Sequence, residues 1–486
     1  MEYCGYVVKV EKLRPHSNAD RLQVAEFYGN ETCVSIEVVK GELGIYFPSD
    51  LQLSEEFCEV NHMCRKKKDG TPDTGYLEEN RHIRAIRLRG ERSDGIFCSL
   101  NCLEYTGVNM DDLRVGMKID TINGHEICCK YIPVRQHKNG HYSEGNKTRK
   151  KRVPVAPLFA EHADTEQLAY NLGAFKPGDE LEITLKMHGT SGRTAHLPVL
   201  KGYSDSWLCK FLNHFRKEPK HNGAPIYEYD YVSGTRRCVL DTFDGGYYGS
   251  DKFREKWHEF FKDKLQKGET VYFEIVGFTD TGVPIMPSAP NKKLNDKEFI
   301  KQYGETTVFS YGCDPYPHTF IGYNDSRPGY QDEEVEVTIP QNDIYVYRMT
   351  MTNEDGFTVE YTPDFMRYRC EQMGVKTVPV FAKVYIRDDA VIAHNTDGTY
   401  SGGNIPEGWT IGDAVKKIAE EFYDGPDPVG KTHVREGVVV RIVNRPKFAA
   451  FKHKNFSFKV LSNVAVADAE ASGAIEGMSA DMLAEM

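Results

Sequence analysis

Hydrophobic and polar positions alternate over short distances in the first 140 residues. β-branched and aromatic residues occur in four such alternating segments, and Asn, Gly and Asp turn signals separate the segments. The segments are residues 4–10, 22–28, 31–39 and 43–47. Strands of this length and spacing are typical of a small antiparallel barrel. The pattern therefore predicts an all-β module over residues 1–140.

Two later segments have helical periodicity. Residues 251–265 and 412–423 each place apolar side chains on one face, and Asp251 is an expected N-cap. Apart from these helices, residues 180–463 are rich in strand-forming residues, which favours antiparallel sheets. Residues 464–486 are rich in Ala, Glu and Met and form either a short helix or a disordered tail. The fold class expected is α+β.

Composition and length limit the possible classes of protein. With 486 residues, 40% of them hydrophobic, the chain has room for two or three domains with their own cores. It has no apolar run of eighteen residues, and its start lacks the layout of a signal peptide. We expect a cytoplasmic monomer that does not contact a membrane.

The twelve cysteines show no Cys-x-x-Cys spacing. In a chain without a leader they are expected to be reduced thiols. The group closest to a metal site is Cys58, His62, Cys64, Cys98 and Cys102. Unrelated core and loop cysteines are the favoured interpretation, because a zinc site needs four ligands in a tetrahedron.

The net charge of −11 argues against a protein that coats nucleic acid non-specifically. Contact with nucleic acid would then depend on local basic patches. Candidates are residues 65–68, the arginines of 81–92, and the run 147–152. The last run lies in a predicted linker, residues 141–157, where a basic hinge would follow a phosphate backbone.

The most informative segment is Lys186–Ser191, with the sequence KMHGTS, which directly follows the apolar run 181–185. Other charged residues among strand formers occur later in the chain: Glu274, Glu436, Lys452 and Lys454. Such residues on strands present single polar groups into a cleft.

This set suits the transfer of a nucleotide to a lysine. A lysine is nucleophilic only when neutral, and the nearby cations Lys452 and Lys454 favour that form while binding phosphates. Glu274 and Glu436 offer the hard oxygen ligands that magnesium prefers. Gly189 lets the backbone approach a nucleotide closely.

In this order the motifs resemble those of the covalent nucleotidyltransferases, the superfamily of ATP-dependent polynucleotide ligases and mRNA-capping enzymes. The Lys-x-His-Gly-Thr form, and Phe456–Lys459 after the Lys-x-Lys pair, look like RNA ligases. The resemblance implies a DNA-ligase-type or ATP-grasp-like adenylyltransferase domain over residues 158–463, with antiparallel sheets flanked by helices. It also implies nucleotide contacts for Gly189, Ser191, Arg236, Arg237, Glu274, Tyr347, Glu436, Lys452 and Lys454.

The resemblance assigns finer roles to some of these residues. Arg236 or Arg237 would contact the ribose, and Tyr347 would stack on the adenine. Glu274 and Glu436 would orient the metal, and His188 would hold a metal-bound water. Leu185 departs from the pattern because related RNA ligases often carry glutamate there, and His188 stands where many relatives have aspartate.

The first 140 residues resemble a branch of these ligases with an OB domain in front of the catalytic domain. The segments that carry this resemblance are Val8–Val10, His16–Leu22, 83–90 and Ser93–Phe97. An OB-fold binds oligonucleotides on one face. Removing it is expected to spare the reaction with ATP and to impair sealing.

The activity implied is that of an ATP-dependent RNA ligase in RNA repair, which uses Mg²⁺ or Mn²⁺. Lys186 would attack the α-phosphate of ATP to form lysyl-AMP, AMP would pass to a 5′-phosphate end, and a 3′-hydroxyl would displace it. The expected partner is RNA or an RNA-containing nicked duplex.

Two alternatives remain. One is a GTP-dependent capping-type guanylyltransferase, which would be expected to carry an OB domain after the Lys-x-Lys pair. The other is a nucleic-acid-binding protein with a vestigial cleft. The retained charged residues count against that interpretation, because charged groups are costly to bury.

Overall fold

The fold is described from a computed structural model of the chain. The structure describes residues 3–67, 70–132, 154–163, 165–216, 219–236, 238–240, 242–244, 251–323 and 334–472. Three sequence predictions lie outside the described residues, wholly or mostly: Arg237, the linker 141–157 with its basic run, and the end of the tail from residue 473.

Short strands dominate residues 3–132. They are β1 (Gly5–Lys9), β2 (Leu13–Pro15), β3 (Leu22–Phe27), β4 (Asn30–Ser35), β5 (Leu43–Phe47), β6 (Leu51–Leu53), β7 (Ala85–Leu88), β8 (Glu91–Asp94), β9 (Ile96–Ser99), β10 (Lys118–Ile119), β11 (Thr121–Ile122), β12 (His125–Glu126) and β13 (Cys128–Lys130). Helix α1 spans Glu55–Val60, and 3₁₀ turns span Leu100–Thr106 and Met110–Asp112.

The four strand segments predicted in this region are confirmed as β1, β3, β4 and β5. Strands pair in the orders β10-β1-β5-β9 and β2-β3-β4, and the others form two-stranded ribbons, all antiparallel. Within the described residues these pairings do not close into a barrel, so the OB-fold stays a prediction.

Residues 154–472 contain longer strands. They are β14 (Glu166–Gln167), β15 (Glu180–Leu185), β16 (Thr190–Tyr203), β17 (Pro225–Gly234), β18 (Glu269–Gly277), β19 (Ala289–Pro290), β20 (Thr306–Thr307), β21 (His318–Tyr323), β22 (Glu334–Ile339), β23 (Asn342–Thr352), β24 (Thr358–Glu360), β25 (Lys376–Thr377), β26 (Val380–Ile386), β27 (Ala390–Asn395), β28 (Tyr400–Asn404), β29 (Gly437–Ile442) and β30 (Ala449–Lys454).

Helices in the same part flank the sheets. They are α2 (Trp207–Asn213), α3 (Lys252–Phe261), α4 (Lys297–Tyr303), α5 (Pro363–Met373), α6 (Ile411–Glu420) and α7 (Phe456–Ser472). Further 3₁₀ turns span Leu168–Tyr170, Leu172–Ala174 and Asn291–Leu294. The mixture of helices and mainly antiparallel sheets confirms the α+β class.

Two large sheets form the frame of this part. One has seven strands in the order β14-β30-β29-β15-β26-β27-β28, and the other has six, β17-β16-β18-β23-β24 with β25 beside β23. Strand β15 is central in the first sheet, and its sequence alternates the buried apolar residues Leu181, Ile183 and Leu185 with polar residues on the other face. The chain then crosses to the second sheet between Leu185 and Thr190.

The two predicted helices are confirmed as α3 and α6. Helix α3 buries Phe253, Trp257 and Phe261 in the core of the six-stranded sheet. Helix α6 packs on the seven-stranded sheet and begins with a capping box at Thr410. Asp251 does occupy the N-cap of α3, but its side chain makes no capping hydrogen bond and lies 3.4 Å from Arg254.

Helix α7 joins the two parts of the chain. It continues through the first nine residues of the predicted tail, and its Lys459 forms an ion pair with Asp94 of β8 at 2.6 Å. Nearby, Arg92 lies over the ring of Phe456. These contacts hold residues 3–132 against one end of the sheets. None of the helices among the described residues is long and apolar enough to cross a membrane.

Candidate nucleotide site

Lys186 lies where the chain leaves the seven-stranded sheet. Its backbone N–H donates to the carbonyl of Gly437 at 3.0 Å, which continues the pairing of β15 with β29 by one residue. The side chain therefore starts from a fixed backbone and points into a cleft between the two sheets, which it lines.

Glu436 is the centre of an ionic cluster around Lys186. Its carboxylate lies 2.8 Å from Lys186 Nζ, 3.4 Å from Lys454 Nζ and 3.7 Å from His188 Nδ1, and it is 2% exposed. Burial tends to raise the pKa of this carboxyl, but Lys186 and Lys454 outweigh it and lower the pKa to about 2. The sequence prediction that these residues act together is consistent with this geometry.

The Lys-x-Lys pair projects from one face of β30, because alternate residues of a strand share a face. Burial lowers the pKa of Lys452 well below its usual value, and the charges of Lys454 and Lys186 lower it further. Burial also disfavours the charged form of Lys454, but Glu436 outweighs it and raises the pKa. The two lysines therefore stand in different electrostatic environments.

The six-stranded sheet supplies the facing wall of the cleft. Ser191 on β16 pairs with Glu274 on β18, and both line the cleft with Gly189. A Cβ on Gly189 would lie 2.3 Å from the carbonyl oxygen of Ile275 and 2.9 Å from Cγ of Glu274. Close approach of two backbones is thus the reason for glycine at this position.

We expect Gly189→Ala to destabilise the protein by about 1–3 kcal/mol, because the rigid carbonyl of Ile275 has to move. The measurement is the free energy of unfolding in denaturant. Gly202→Ala on β16, the strand that follows Gly189, is the control, since its added Cβ meets no atom within 4 Å. Equal losses in the two variants would contradict the expectation.

A second, more apolar part of the cleft continues from Lys186. The hydrophobic side chains among its lining residues are Leu185, Met187, Tyr347, Met366, Val378, Val439, Phe448 and Ala450. Arg236 lines both parts of the cleft, while Arg237 lies outside the described residues. His162 packs near the rings of Tyr347 and Phe448, and burial with Arg348 lowers its pKa well below the usual value, so it is neutral. The apolar and aromatic side chains of this part suit an aromatic base.

Several buried arginines that sequence reasoning missed hold this cleft together. Arg254 of α3 donates to the carbonyl of Ser191 at 2.8 Å and to Thr190 Oγ1 at 2.6 Å. Arg193 donates to the carbonyl of Thr235 at 2.7 Å. Their partners are distant in sequence, so no local motif marks them.

Residues of the first part also reach the cleft, which sequence reasoning did not foresee. Five of them line the cleft beside Lys452 and Lys454: Tyr3, Asp50, His82, Lys130 and Tyr131. Burial tends to raise the pKa of Asp50, but Lys454, His82 and other nearby cations lower it overall. Removal of residues 1–140 would take these side chains away from the cleft, so the prediction that the module is dispensable for a reaction with ATP needs a direct test.

We expect Asp50→Asn to slow the reaction of the protein with nucleotide about tenfold, a modest loss of electrostatic stabilisation. The carboxylate favours the charged form of Lys452, so its removal leaves that lysine neutral more often. Asparagine tolerates the left-handed backbone at this position, where φ is 72°. The assay is the rate of label transfer from nucleotide, with Glu56→Gln on α1 as the control. An unchanged rate would exclude Asp50 from the site.

The oxygens of the cluster fit a divalent cation. Glu436 Oε2 is buried and has no hydrogen-bond partner among the described residues. No three His, Cys, Asp or Glu side chains of the described part of the chain form a metal-binding group. Mg²⁺ commonly keeps several waters and binds through one or two carboxylates, which Glu436 and Glu274 can provide. Cys58 and its described neighbours form no such group either.

Comparison with known proteins gives a structural likeness. No family profile and no curated protein matches the sequence. A solved structure of Naegleria gruberi RNA ligase with PPi is similar, with a TM-score of 0.50, 15% identity, and coverage of 94% of this chain and 98% of that chain. Two variants of that ligase, one with ATP and Mn and one with AMP and Mn, have TM-scores of 0.50 and 14% identity. They cover 95% and 94% of this chain and 98% of theirs.

At this identity the likeness concerns the fold. It covers 94% of the chain, so it reaches both parts and supports a common architecture for them. What the chain does must then be inferred from its own cleft.

Proposed function

We propose that this protein is an ATP-dependent RNA ligase that works through a lysyl-AMP intermediate. The observation that carries the proposal is the position of Lys186. It is paired with buried Glu436 and flanked by Lys454 at the mouth of an apolar pocket. The likeness in fold to an RNA ligase seen with ATP and with AMP supports the same conclusion.

In the first step, Lys186 gives a proton to solvent, and its neutral Nζ attacks the α-phosphorus of ATP. The P–N bond forms as the bond from that phosphorus to the bridging oxygen breaks, and pyrophosphate leaves with the electron pair. Lys452 and Lys454 bind the phosphate oxygens on which charge develops. A divalent ion, Mg²⁺ or Mn²⁺, held by Glu274 and Glu436 with His188 behind a bound water, would neutralise phosphate charge. Most of the catalytic effect is positioning and charge neutralisation.

The nucleoside would lie in the apolar part of the cleft. Tyr347 covers the base, Arg236 reaches the ribose, and Gly189 and Ser191 border the phosphates. Later steps pass AMP to a 5′-phosphate end, and a 3′-hydroxyl displaces AMP to seal the strand in RNA repair.

We further propose the division of labour within the chain. Residues 1–140 form an OB-like module that binds RNA or an RNA-containing nicked duplex, residues 141–157 a linker, and residues 158–463 the adenylyltransferase domain. The antiparallel sheets of β1–β13 and the likeness in fold over the whole chain support this division. The protein would act in the cytoplasm as a monomer.

The deciding experiment is incubation of the full chain with ATP or GTP labelled at the α-phosphate, with Mg²⁺ or Mn²⁺. We expect covalent transfer of label from ATP to protein that is stable in alkali and released by acid, as a phosphoramidate is, followed by sealing of a nicked duplex with a ribose 3′ end. Label from GTP alone would favour a capping-type guanylyltransferase. Absence of label from both nucleotides would favour a nucleic-acid-binding protein with a vestigial cleft.

A further inference from the structure

An ion pair between a buried carboxylate and a partly buried arginine lines the apolar pocket. Glu182 is 4% exposed, and Arg367 of α5 donates to its two carboxylate oxygens at 2.9 and 3.1 Å. Both residues line the pocket that continues from Lys186. A buried ion pair is weak evidence for stability, because desolvation of the two charges offsets their attraction. Contact with a ligand in the pocket therefore explains a pair in this position better than a contribution to stability does.

Glu182 faces the same side of β15 as Lys186. Alternate residues of a strand share a face, so Glu182, Thr184 and Lys186 form one row, and all three line the pocket. The lysine is at one end of this row and the carboxylate at the other. A nucleotide attached to Lys186 through its phosphate would extend its base toward Glu182.

Arg441 places a hydrogen-bond donor beside this acceptor. It is the register partner of Glu182 on β29, so their side chains leave the sheet as neighbours. Its Nη2 lies 3.3 Å from the carbonyl of Tyr361. Its Nε is buried without a hydrogen-bond partner among the described residues. An unpaired buried donor in a pocket indicates that a ligand atom completes it.

We propose that Glu182 and Arg441 read the edge of the base and select adenine. On the proposed function, which this inference extends, the carboxylate accepts from the exocyclic amino group and Arg441 donates to the adjacent ring nitrogen. Adenine presents a donor beside an acceptor there, whereas guanine presents O6 and N7, two acceptors. A guanine oxygen would then face the carboxylate with no proton between them.

Glu182 can replace the glutamate that related RNA ligases often carry at the position of Leu185. Leu185 stands where related RNA ligases often carry glutamate, and it is buried in the core, so it offers no polar group to the base. Glu182 supplies a carboxylate from the same strand, three residues earlier. Arg367 is a positioning residue, since it holds the carboxylate and is itself paired with Asp364 at 2.7 Å.

The test measures kcat/KM for label transfer to the protein from ATP, GTP and purine riboside triphosphate, which lacks the 6-amino group. In Glu182→Gln we expect kcat/KM for ATP to fall about tenfold or more through KM, while the values for the other two nucleotides hold or rise. The glutamine amide would keep its oxygen on Arg367 and turn its NH₂ toward the base, which disfavours adenine.

Glu269→Gln is the matched control. Glu269 is fully buried and takes two hydrogen bonds from Arg369, two residues after Arg367 on α5, but it lies outside both parts of the cleft. This variant should lose thermal stability and keep the wild-type preference among the three nucleotides. A loss of preference in both variants would show a general structural effect and overturn the proposal.

Glu182→Asp is a second variant, which tests the proposal if Glu182→Gln does not fold. It keeps the charge for Arg367 but withdraws the carboxylate by one methylene, so the preference for ATP should fall here also. A folded variant of either kind with unchanged preference would overturn the proposal. Failure of the wild-type protein to take any label would refute the proposed ligase function. Wild-type label mainly from GTP would refute adenine selection itself.

Discussion

Lys186→Ala should abolish formation of the protein–AMP adduct and leave the fold intact. The lysine ends in a cleft, and 22% of its side chain is exposed, so little packing is lost on truncation. Removal of the nucleophile leaves no atom to form the phosphoramidate bond, and we expect the rate to fall below detection. The measurements are label transfer from ATP and the melting temperature.

Lys186→Arg should fail as completely as Lys186→Ala. A guanidinium remains protonated and cannot attack phosphorus, although it preserves the charge beside Glu436. Lys376→Ala is the control, since Lys376 is paired with Asp343 and lines neither part of the cleft. Adduct in a folded Lys186 variant would mean that another residue is the nucleophile.

Glu436→Gln is expected to reduce adduct formation about a hundredfold to a thousandfold, the range for loss of an electrostatic group in a water-poor site. The amide leaves the charges of Lys186 and Lys454 without a counter-charge and removes a carboxylate ligand for the metal. Glu269→Gln is again the control, because it breaks a buried ion pair elsewhere. Normal turnover per folded Glu436→Gln molecule would make this residue structural.

The same variant tests the acid dependence of stability. The pKa of Glu436 in the folded protein is about 2, below the ordinary glutamate value of 4.5, so its ionised form stabilises the fold above pH 4.5. That contribution is lost as the pH falls from about 4.5 toward 2. The free energy of unfolding of the wild type should therefore drop more steeply over this range than that of Glu436→Gln. Parallel curves would contradict the lowered pKa.

The strands and helices with strong periodicity were predictable from the sequence. The segments that became α3 and α6 have apolar stripes long enough to fix their type, and β15 reads as a buried strand. The side-chain cap expected from Asp251 did not form, because its carboxylate turns toward Arg254. Closure of a barrel could not be judged, since a pattern of short strands does not specify which strands pair.

Residues of the site were predictable where a short local sequence motif marks them. Lys186 follows a strand and precedes a glycine, and the Lys-x-Lys pair alternates on one strand. Asp50, Arg254 and Glu182 were missed. Each acts through partners far away in the sequence, and an acidic residue after a strand or an arginine in a helix has no local signature of its own.

The position of β15 bears on how the protein reaches its working form during synthesis. Both neighbours of this strand, β26 and β29, are made after it, and β29 is nearly the last strand translated. The nascent chain therefore carries β15 with both edges open until β26 is made, and with one edge open until β29 is made, a condition that favours wrong pairing. Glu436 directly precedes β29, so a polypeptide released before that point would hold Lys186 without its counter-charge. On the proposed function, the earliest moment at which Lys186 can accept AMP would then be set by ribosomal elongation rather than by the supply of nucleotide.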